Sequence, residues 1–373
     1  MSATDPAGRE GSASPDGEDA FDALGGWPTL LARLVRGDEL SAWEAETAMG
    51  EVLSGAASPA QLAAFVIALR MKRETVAEMS GFVRAMLAHA EPLEVPGDLV
   101  DTCGTGGDRS RSINVSTIAA FVAAGAGARV CKHGGRAASS AAGSADVLEA
   151  LGVAIDLGPQ GVARCVEEVG MGFCFAPRFH PAMRNAAPVR AQLGVATVFN
   201  FLGPLANPAR ARFQVVGVSD PSMAEKMLGV LVANGTRRAM VVHGADGLDE
   251  LSTTGPSEVL SWPVGENGDP TELAWERYVV DPGAFGLAPA SLDDLRGGDA
   301  TTNADAARRV LDGERGPHRD VVVLNTAAAL MVCGRAKTLE DGVQGASQSI
   351  DSGRARAVLD DLVRVSRDAR EAD

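Results

Sequence analysis

The pattern of apolar and polar positions gives the chain two textures. Residues 27–95 carry helical signals with no strand between them. Ser41 followed by Glu44 forms a capping box that opens a helix to about residue 53. Ser58 and Pro59 supply an N-cap and a first-turn proline for a helix to about residue 72. A third amphipathic stretch spans 76–88, and Pro92 and Pro96 mark a linker at 91–97. These signals predict a small all-α unit over 26–97.

From residue 99 short apolar runs alternate with helical stretches. Runs 99–103, 128–132, 214–218 and 239–243 read as buried strands. Helices are expected from the glycine turn after the first run to about residue 124, over 144–151 and over 222–234. This alternation predicts an α/β layer with a largely parallel sheet. Residues 320–324 read as a further strand, with a helix starting at 325, whereas 263–300 follow neither period.

Composition narrows the class. A chain of 373 residues, 46% apolar and 22% charged, suits a globular protein with a sizeable core. No run approaches the roughly 20 uncharged apolar residues of a membrane span. The first 25 residues are acidic and rich in Gly, Ser and Pro, and read as a disordered tail. Cys103, Cys131, Cys165, Cys174 and Cys333 are scattered with no CxxC pair, which argues against a disulfide framework or zinc ribbon and for a reducing cytoplasm. A net charge of −15 opposes nonspecific nucleic-acid binding. Residues 101–140 run the other way, with Arg109, Arg111, Arg129, Lys132 and Arg136 against only Asp101 and Asp108. One basic, glycine-rich segment in an acidic chain suggests a focused site for a small anion.

Four strings carry candidate chemistry. Gly104-Thr105-Gly106-Gly107-Asp108 follows the first strand, and its glycines allow successive N–H groups to converge on one anion. It matches neither a Walker A loop nor a dinucleotide fingerprint, and also reads as a tight strand-to-helix turn. Asn114-Val115-Ser116-Thr117 opens the next helix, where polar residues either cap the helix or, with Ser112, help it bind phosphate. Lys132-His133-Gly134-Gly135-Arg136-Ala137-Ala138-Ser139-Ser140 follows the second strand, with Ser144 beyond it. Loops at the carboxyl ends of adjacent parallel strands converge on one crevice. Asp246-Gly247-Leu248-Asp249-Glu250 follows a later strand and offers paired carboxylates to a hard cation, or an Asp-Gly turn.

In this order the strings resemble the anthranilate phosphoribosyltransferase family, from about Trp27 to about Arg370. The resemblance includes Gly143-Ser144-Ala145-Asp146, Phe175-Ala176-Pro177-Arg178-Phe179-His180-Pro181 and Asn200-Phe201-Leu202-Gly203-Pro204-Leu205-Ala206-Asn207-Pro208. It implies a nucleoside phosphorylase/phosphoribosyltransferase-like fold: a small α-helical domain of residues 26–97 plus about 188–212, and an α/β domain of 98–187 and 213–373. It also implies a homodimer joined through the helical domains and an active site in the interdomain cleft. The implied reaction joins anthranilate to 5-phosphoribosyl 1-diphosphate (PRPP) and releases pyrophosphate, as a step of tryptophan biosynthesis with two Mg²⁺ ions.

By that resemblance Gly104, Gly107, Asp108 and Ser112 line the PRPP site, and Asn114, Val115, Ser116 and Thr117 bind its phosphates. Lys132, His133, Gly134, Gly135, Arg136, Ala137, Ala138, Ser139 and Ser140 form a second binding segment, completed by Ser144. Ser116, Asp249 and Glu250 are the implied metal ligands. Lys132 and the two carboxylates are the implied catalytic groups, and Arg190 is expected beside the anthranilate carboxylate. Gly135 stands where the family usually has an asparagine that contacts the acceptor, and Ser112 stands for a threonine. Arg109 and Arg111 add charge without an assigned role. A phosphoribosyltransferase for another aromatic acid is the alternative reading. A pyrimidine nucleoside phosphorylase is a further one, against which the Asp249-Glu250 pair stands.

Overall fold

Capping boxes at Ser41/Glu44, Ser58/Gln61 and Thr75/Glu78 set the starts of three N-terminal helices, each box satisfying two backbone N–H groups reciprocally. The computed structural model describes residues 18–137, 141–263 and 275–372. The N-terminal unit comprises α1 (Glu18–Ala23), α2 (Gly26–Val35), α3 (Ala42–Ser54), α4 (Pro59–Lys72) and α5 (Val76–Ala88). The expected tail through residue 25 is too long. Glu18–Ala23 is helical, and the Phe21 ring packs 5.1 Å from that of Trp27. Residues 1–17 of that expected tail lie outside the described residues.

The remainder runs β1 (Val100–Gly104), α6 (Val115–Gly125), β2 (Val130–Gly134), α7 (Ser144–Leu151), α8 (Pro159–Val169) and β3 (Met171–Phe175). Three short helices follow: α9 (Ala176–Phe179), α10 (Ala187–Leu193) and α11 (Phe199–Leu202). Then come β4 (Phe213–Gly217), α12 (Ala224–Ala233), β5 (Arg238–Gly244), β6 (Ser257–Trp262) and β7 (Glu276–Val280). The chain closes with α13 (Ala300–Leu311), α14 (Pro317–Val332), α15 (Leu339–Asp351) and α16 (Arg354–Arg370).

The strands form one sheet in the order β3-β2-β1-β4-β5-β6-β7. The first five are parallel, and β6 and β7 add antiparallel edges, so the mostly parallel sheet expected from the sequence is present. Residues 320–324 are not a strand but the first half of α14. Val321, Val322, Val323 and Leu324 are all buried, so the helix meets protein on every side. A fully enclosed helix shows the same unbroken apolar run as a central strand.

Both sheet faces are covered, as parallel sheets require. Val215, Met240 and Val242 join a core with Ile118 of α6 and Val322 of α14. Their alternating neighbours Val216, Val241 and Leu260 join a second core with Leu228 of α12, Phe82 of α5 and Phe65 of α4. Val189, Val198, Phe199 and Leu202, from the middle of the chain, belong to this second core. The helical unit is therefore continuous with one face of the sheet.

Two helical glycines separate packing from propensity. A Cβ at Gly81 of α5 would collide with the Ala42 carbonyl oxygen and approach Glu46 N to 2.8 Å, whereas one at Gly50 of α3 meets only His89 Cε1 at 4.0 Å. Alanine gains about 0.5–1 kcal/mol over glycine inside a helix, and overpacking costs about 1–3 kcal/mol. Gly50→Ala should raise the urea midpoint and Gly81→Ala should lower it. A shared sign would refute the close α3–α5 contact.

Candidate active site

The loops after β1, β2 and β5 meet at the carboxyl edge of the sheet around a cavity of about 350 Å³. Gly104 and Gly217 end neighbouring strands in register. A Cβ on either would collide with Asp249, so paired glycines at two strand ends admit the Asp249-Glu250 segment into the site. Asp249 Oδ2 accepts the Gly106 N–H at 2.6 Å, and Glu250 Oε1 accepts the Ser116 N–H at 3.1 Å. Asn325 of α14 holds the next residue on both sides. Its Oδ1 accepts Leu251 N–H at 2.9 Å, and its Nδ2 donates to Leu251 O at 2.7 Å.

Burial, with the charge of Asp108 added, pushes the Asp249 carboxyl up to about 6. Glu250 keeps part of its surface open to the cavity. Loss of water around it and the neighbouring Asp249 still push its carboxyl up to about 8, against the pull of Lys132. Lys132 is itself buried, 2% exposed, and donates to Thr102 O and, at 3.3 Å, to Ser116 Oγ. Asp108, Asp249 and Glu250 share the cavity with Lys132, Arg111 and Arg136, the last of these held by Asp146 and Glu149. An all-oxygen set built on a carboxyl pair fits Mg²⁺, which binds one or two carboxylates and completes its shell with water and substrate phosphates. Among the described residues no group of three or more His, Cys, Asp and Glu is arranged to hold a metal ion by itself.

The N-terminus of α6 departs from its expected role. Asn114 does not cap the helix; its Nδ2 donates to Ala142 O at 3.1 Å and its Oδ1 accepts from Asn303 Nδ2 at 2.8 Å. The backbone N–H groups of Val115, Ser116 and Thr117 are already bonded, to Ile113 O, Glu250 and Asn114 O. Only hydroxyls remain to offer there, including a buried Thr117 Oγ1 without a partner. The free backbone donors lie in the glycine loop instead. The N–H groups of Gly107, Asp108 and Arg109 have no partner among the described residues. Gly106, Gly107 and Arg109 take left-handed φ angles of 67°, 84° and 59°, a backbone that gathers N–H groups into an anion-binding nest. Ser112 is fixed nearby: its N–H donates to Ser110 Oγ at 3.1 Å, and Ser110 Oγ donates to Asp108 Oδ2 at 2.5 Å.

In the second segment Lys132, His133, Gly134, Gly135, Arg136 and Ala137 reach the cavity, while Ala138, Ser139 and Ser140 lie outside the described residues. Gly134 leaves room for Ser144, whose Oγ donates to Gly135 O at 3.4 Å. Arg136 is held by Asp146 and Glu149, each at 2.8 Å. The His133 ring pairs its Nδ1 with Gly203 O at 3.2 Å and leaves a buried Nε2 unpaired. Gly203, Pro204 and Ala176 also line the cavity. They sit inside strings that resemble the family, yet carry no reactive side chain to single them out. Arg190 is not among the lining residues. It sits on α10 with its guanidinium 5.3 Å from the centre of the Phe199 ring, and burial lowers its pKa.

Burial, with the nearby His180 and Lys132, lowers the His133 pKa to about 3, so the ring is neutral at physiological pH. Between pH 6.5 and 3 the unfolded chain binds a proton there that the folded protein does not, so stability falls as pH drops through that window. His133→Asn should flatten the decline of the denaturation midpoint below pH 6.5, and the parent ring should show no NMR titration between pH 5 and 8. A ring titrating near 6.5 would contradict the burial.

Residues 96–356 match the α/β domain of a glycosyl transferase family, and residues 28–90 match its helical bundle domain. The chain is 52% identical over 353 residues to an anthranilate phosphoribosyltransferase of Salinispora arenicola, covering 92% of this chain and 98% of that one. It is 54% identical over 339 residues to one from Nocardioides, covering 90% and 97%. The anthranilate phosphoribosyltransferase of Thermus thermophilus superposes with a TM-score of 0.84 at 42% identity, over 90% of this chain and 99% of that one. That of Saccharomyces cerevisiae in complex with PRPP and Mg superposes at 0.82 with 26% identity, over 92% and 98%. On these matches, together with the site's geometry, the chain belongs to the anthranilate phosphoribosyltransferase family.

Proposed function

We propose that this protein transfers the phosphoribosyl group of PRPP to the amine of anthranilate and releases pyrophosphate, a step of tryptophan biosynthesis. The observation that carries the reading is one cavity holding an unpaired N–H nest, a buried ammonium and an adjacent carboxyl pair. The nest at residues 107–109 and the Ser116 and Thr117 hydroxyls bind phosphate oxygens. Asp249 and Glu250 hold Mg²⁺, and bound Mg²⁺ supplies charge neutralisation at the diphosphate.

The C1–O bond of PRPP breaks with its electron pair leaving on pyrophosphate, and the C1–N bond forms from the amine lone pair. The Lys132 ammonium stabilises the charge that grows on the leaving oxygen, and it does so in a water-poor site where such stabilisation is strong. An aryl amine is neutral at pH 7, so its lone pair needs no prior deprotonation; the nitrogen sheds its extra proton after bond formation. The neutral His133, its Nδ1–H directed to Gly203 O, lines the cavity without adding charge there. Arg190, with no ion pair among the described residues, supplies a cation for the anthranilate carboxylate on the helical side. Two Mg²⁺ ions, a homodimer joined through the helical unit and a cytoplasmic location complete the proposal. Val35 and Met71, 79% and 81% exposed on α2 and α4, give the dimer contact support.

Pyrophosphate release from PRPP and Mg²⁺ should depend on added anthranilate, and release with another aromatic acid but not anthranilate would refute the acceptor. Arg190→Lys keeps the charge and loses the planar fork, at about 1–3 kcal/mol, so the anthranilate KM should rise roughly tenfold or more with the PRPP KM unchanged. Gly135 has an ordinary φ, and a Cβ there would meet only Ala176 Cβ at 3.9 Å. Gly135→Asn should therefore fold normally and leave the anthranilate KM equal or lower. A raised KM would mean that the open space accommodates the acceptor itself.

Asp249→Asn combined with Glu250→Gln should abolish turnover at low Mg²⁺ and recover part of it at high Mg²⁺. The ligand-free double variant should be no less stable than the parent, because two carboxyls whose ionised forms burial disfavours are replaced by neutral amides. Turnover indifferent to Mg²⁺ would remove the metal assignment.

A further inference from the structure

The pairing of β1 with β2 differs from that of every other neighbouring pair. Among the described residues it comprises only Val100 opposite Val130, whereas β1–β4, β2–β3 and β4–β5 each pair over five positions. Beyond Val100 the facing ladder groups are taken by side chains. Asp101 Oδ1 accepts the His133 N–H at 3.3 Å. Asn207 Nδ2 donates to Cys131 O at 2.8 Å and to Asp101 Oδ2 at 2.8 Å. Lys132 Nζ donates to Thr102 O. Asn207 is anchored by the Ala209 N–H, which donates to its Oδ1 at 2.9 Å. Asp101 is fully buried and Asn207 is 3% exposed.

These contacts bracket Lys132. The carbonyl before it is held by Asn207, the N–H after it by Asp101, and its ammonium bonds the gap's other edge. A regular ladder would have used the Cys131, His133 and Thr102 groups on backbone partners. We propose that Asp101 and Asn207 are positioning residues that replace the ladder between β1 and β2, and so fix where the Lys132 ammonium stands in the cavity. The inference rests on the reading of that cavity as a PRPP site. Neither residue touches the substrate. Each acts through Lys132, so their loss should matter only while Lys132 is present.

The test is a double-mutant cycle on the full chain. Asn207→Ala removes the anchor. Asp101→Asn is nearly isosteric, but leaves one acceptor oxygen where two bonds need one each, and so keeps the test alive if the first variant folds poorly. Each is made alone and with Lys132→Met, and kcat and the KM for PRPP are read from pyrophosphate release. Ser366→Ala, which removes a buried hydroxyl bonded to Ala154 N–H far from the cavity, controls for lost stability alone.

Each single variant should lose at least about 30-fold in kcat/KM for PRPP, and Ser366→Ala less than about twofold. In the Lys132→Met background the same two substitutions should cost less than about threefold. Equal factors in both backgrounds, or singles that match the parent, would overturn the inference. Calorimetric binding of inorganic pyrophosphate with Mg²⁺ runs the same cycle without turnover. A parent that binds pyrophosphate but transfers nothing to anthranilate sinks the functional reading alone, and the binding cycle then decides this inference. A parent that binds none sinks both.

Discussion

Charge held out of water at the carboxyl edge of one parallel sheet is the constraint on which the rest of this structure depends. An ion moved from water into protein loses several kcal/mol even after relaxation, and only close partners offset that loss. Lys132 finds Thr102 O and Ser116 Oγ, and Asp101 finds His133 N–H and Asn207. Asp249 and Glu250 find one backbone N–H each, and burial moves both carboxyls upward, to about 6 and about 8. Lys132 and Asp101 are each held by two partners of the fold, whereas Asp249 and Glu250 keep acceptor oxygens unfilled. Ligand binding to such a site adds stability by mass action, because only the folded chain brings the groups together.

The same constraint explains the odd residue choices around the site. Gly104 and Gly217 sit in register because a carboxylate segment must pass between them. Asn325, Asn303 and Asn207 each come from a distant part of the chain to fasten a site loop. An asparagine side chain offers a donor and an acceptor without charge, so it pins a backbone strand beside ions and adds no further desolvated charge. Arg109 and Arg111 hold left-handed φ angles of 59° and 55°, which non-glycine residues rarely take. Strain of this kind collects where a loop is shaped for a ligand, and the Arg111 carbonyl is pinned by the Gly297 N–H at 2.7 Å.

What could be read from the sequence follows from the range of the interaction. The capping box at Ser41 and the glycine loop after the first strand are local signals, and both stand where the sequence puts them. The run at 320–324 misleads because an enclosed helix and a central strand share one pattern. The role of Asn114 misleads differently: a polar residue before a helix is usually its cap, and here Glu250, 134 positions away from Ser116, supplies the contact. The pairing of Asp101 with Asn207 left no local trace, since the two meet across 106 residues. The candidate residues were legible as strings, but their supports became visible only when distant segments were brought together.

The second core bears on how the site can close. Interdomain closure is often pictured as one unit swinging on a linker, with the two cores sealed separately. Here α5 of the helical unit and α12 on the sheet share one apolar cluster with Val216 and Val241, and Val76 lies against Gly229, where even a Cβ would stand 3.1 Å from its methyl group. Separating α5 from α12 would uncover Val76 where it lies against Gly229 and open the cluster that holds Phe82 and Leu228, and a buried side chain of this size is worth roughly 1.5–3 kcal/mol. A wide swing is therefore disfavoured, and rotation about the α5–α12 contact keeps that area buried. The part free to move toward a ligand is the one the core does not hold, the loop at residues 105–112. Arg190 rides on α10, whose Val189 belongs to the second core, so rotation about the α5–α12 contact moves its cation with the helical unit and leaves that core sealed.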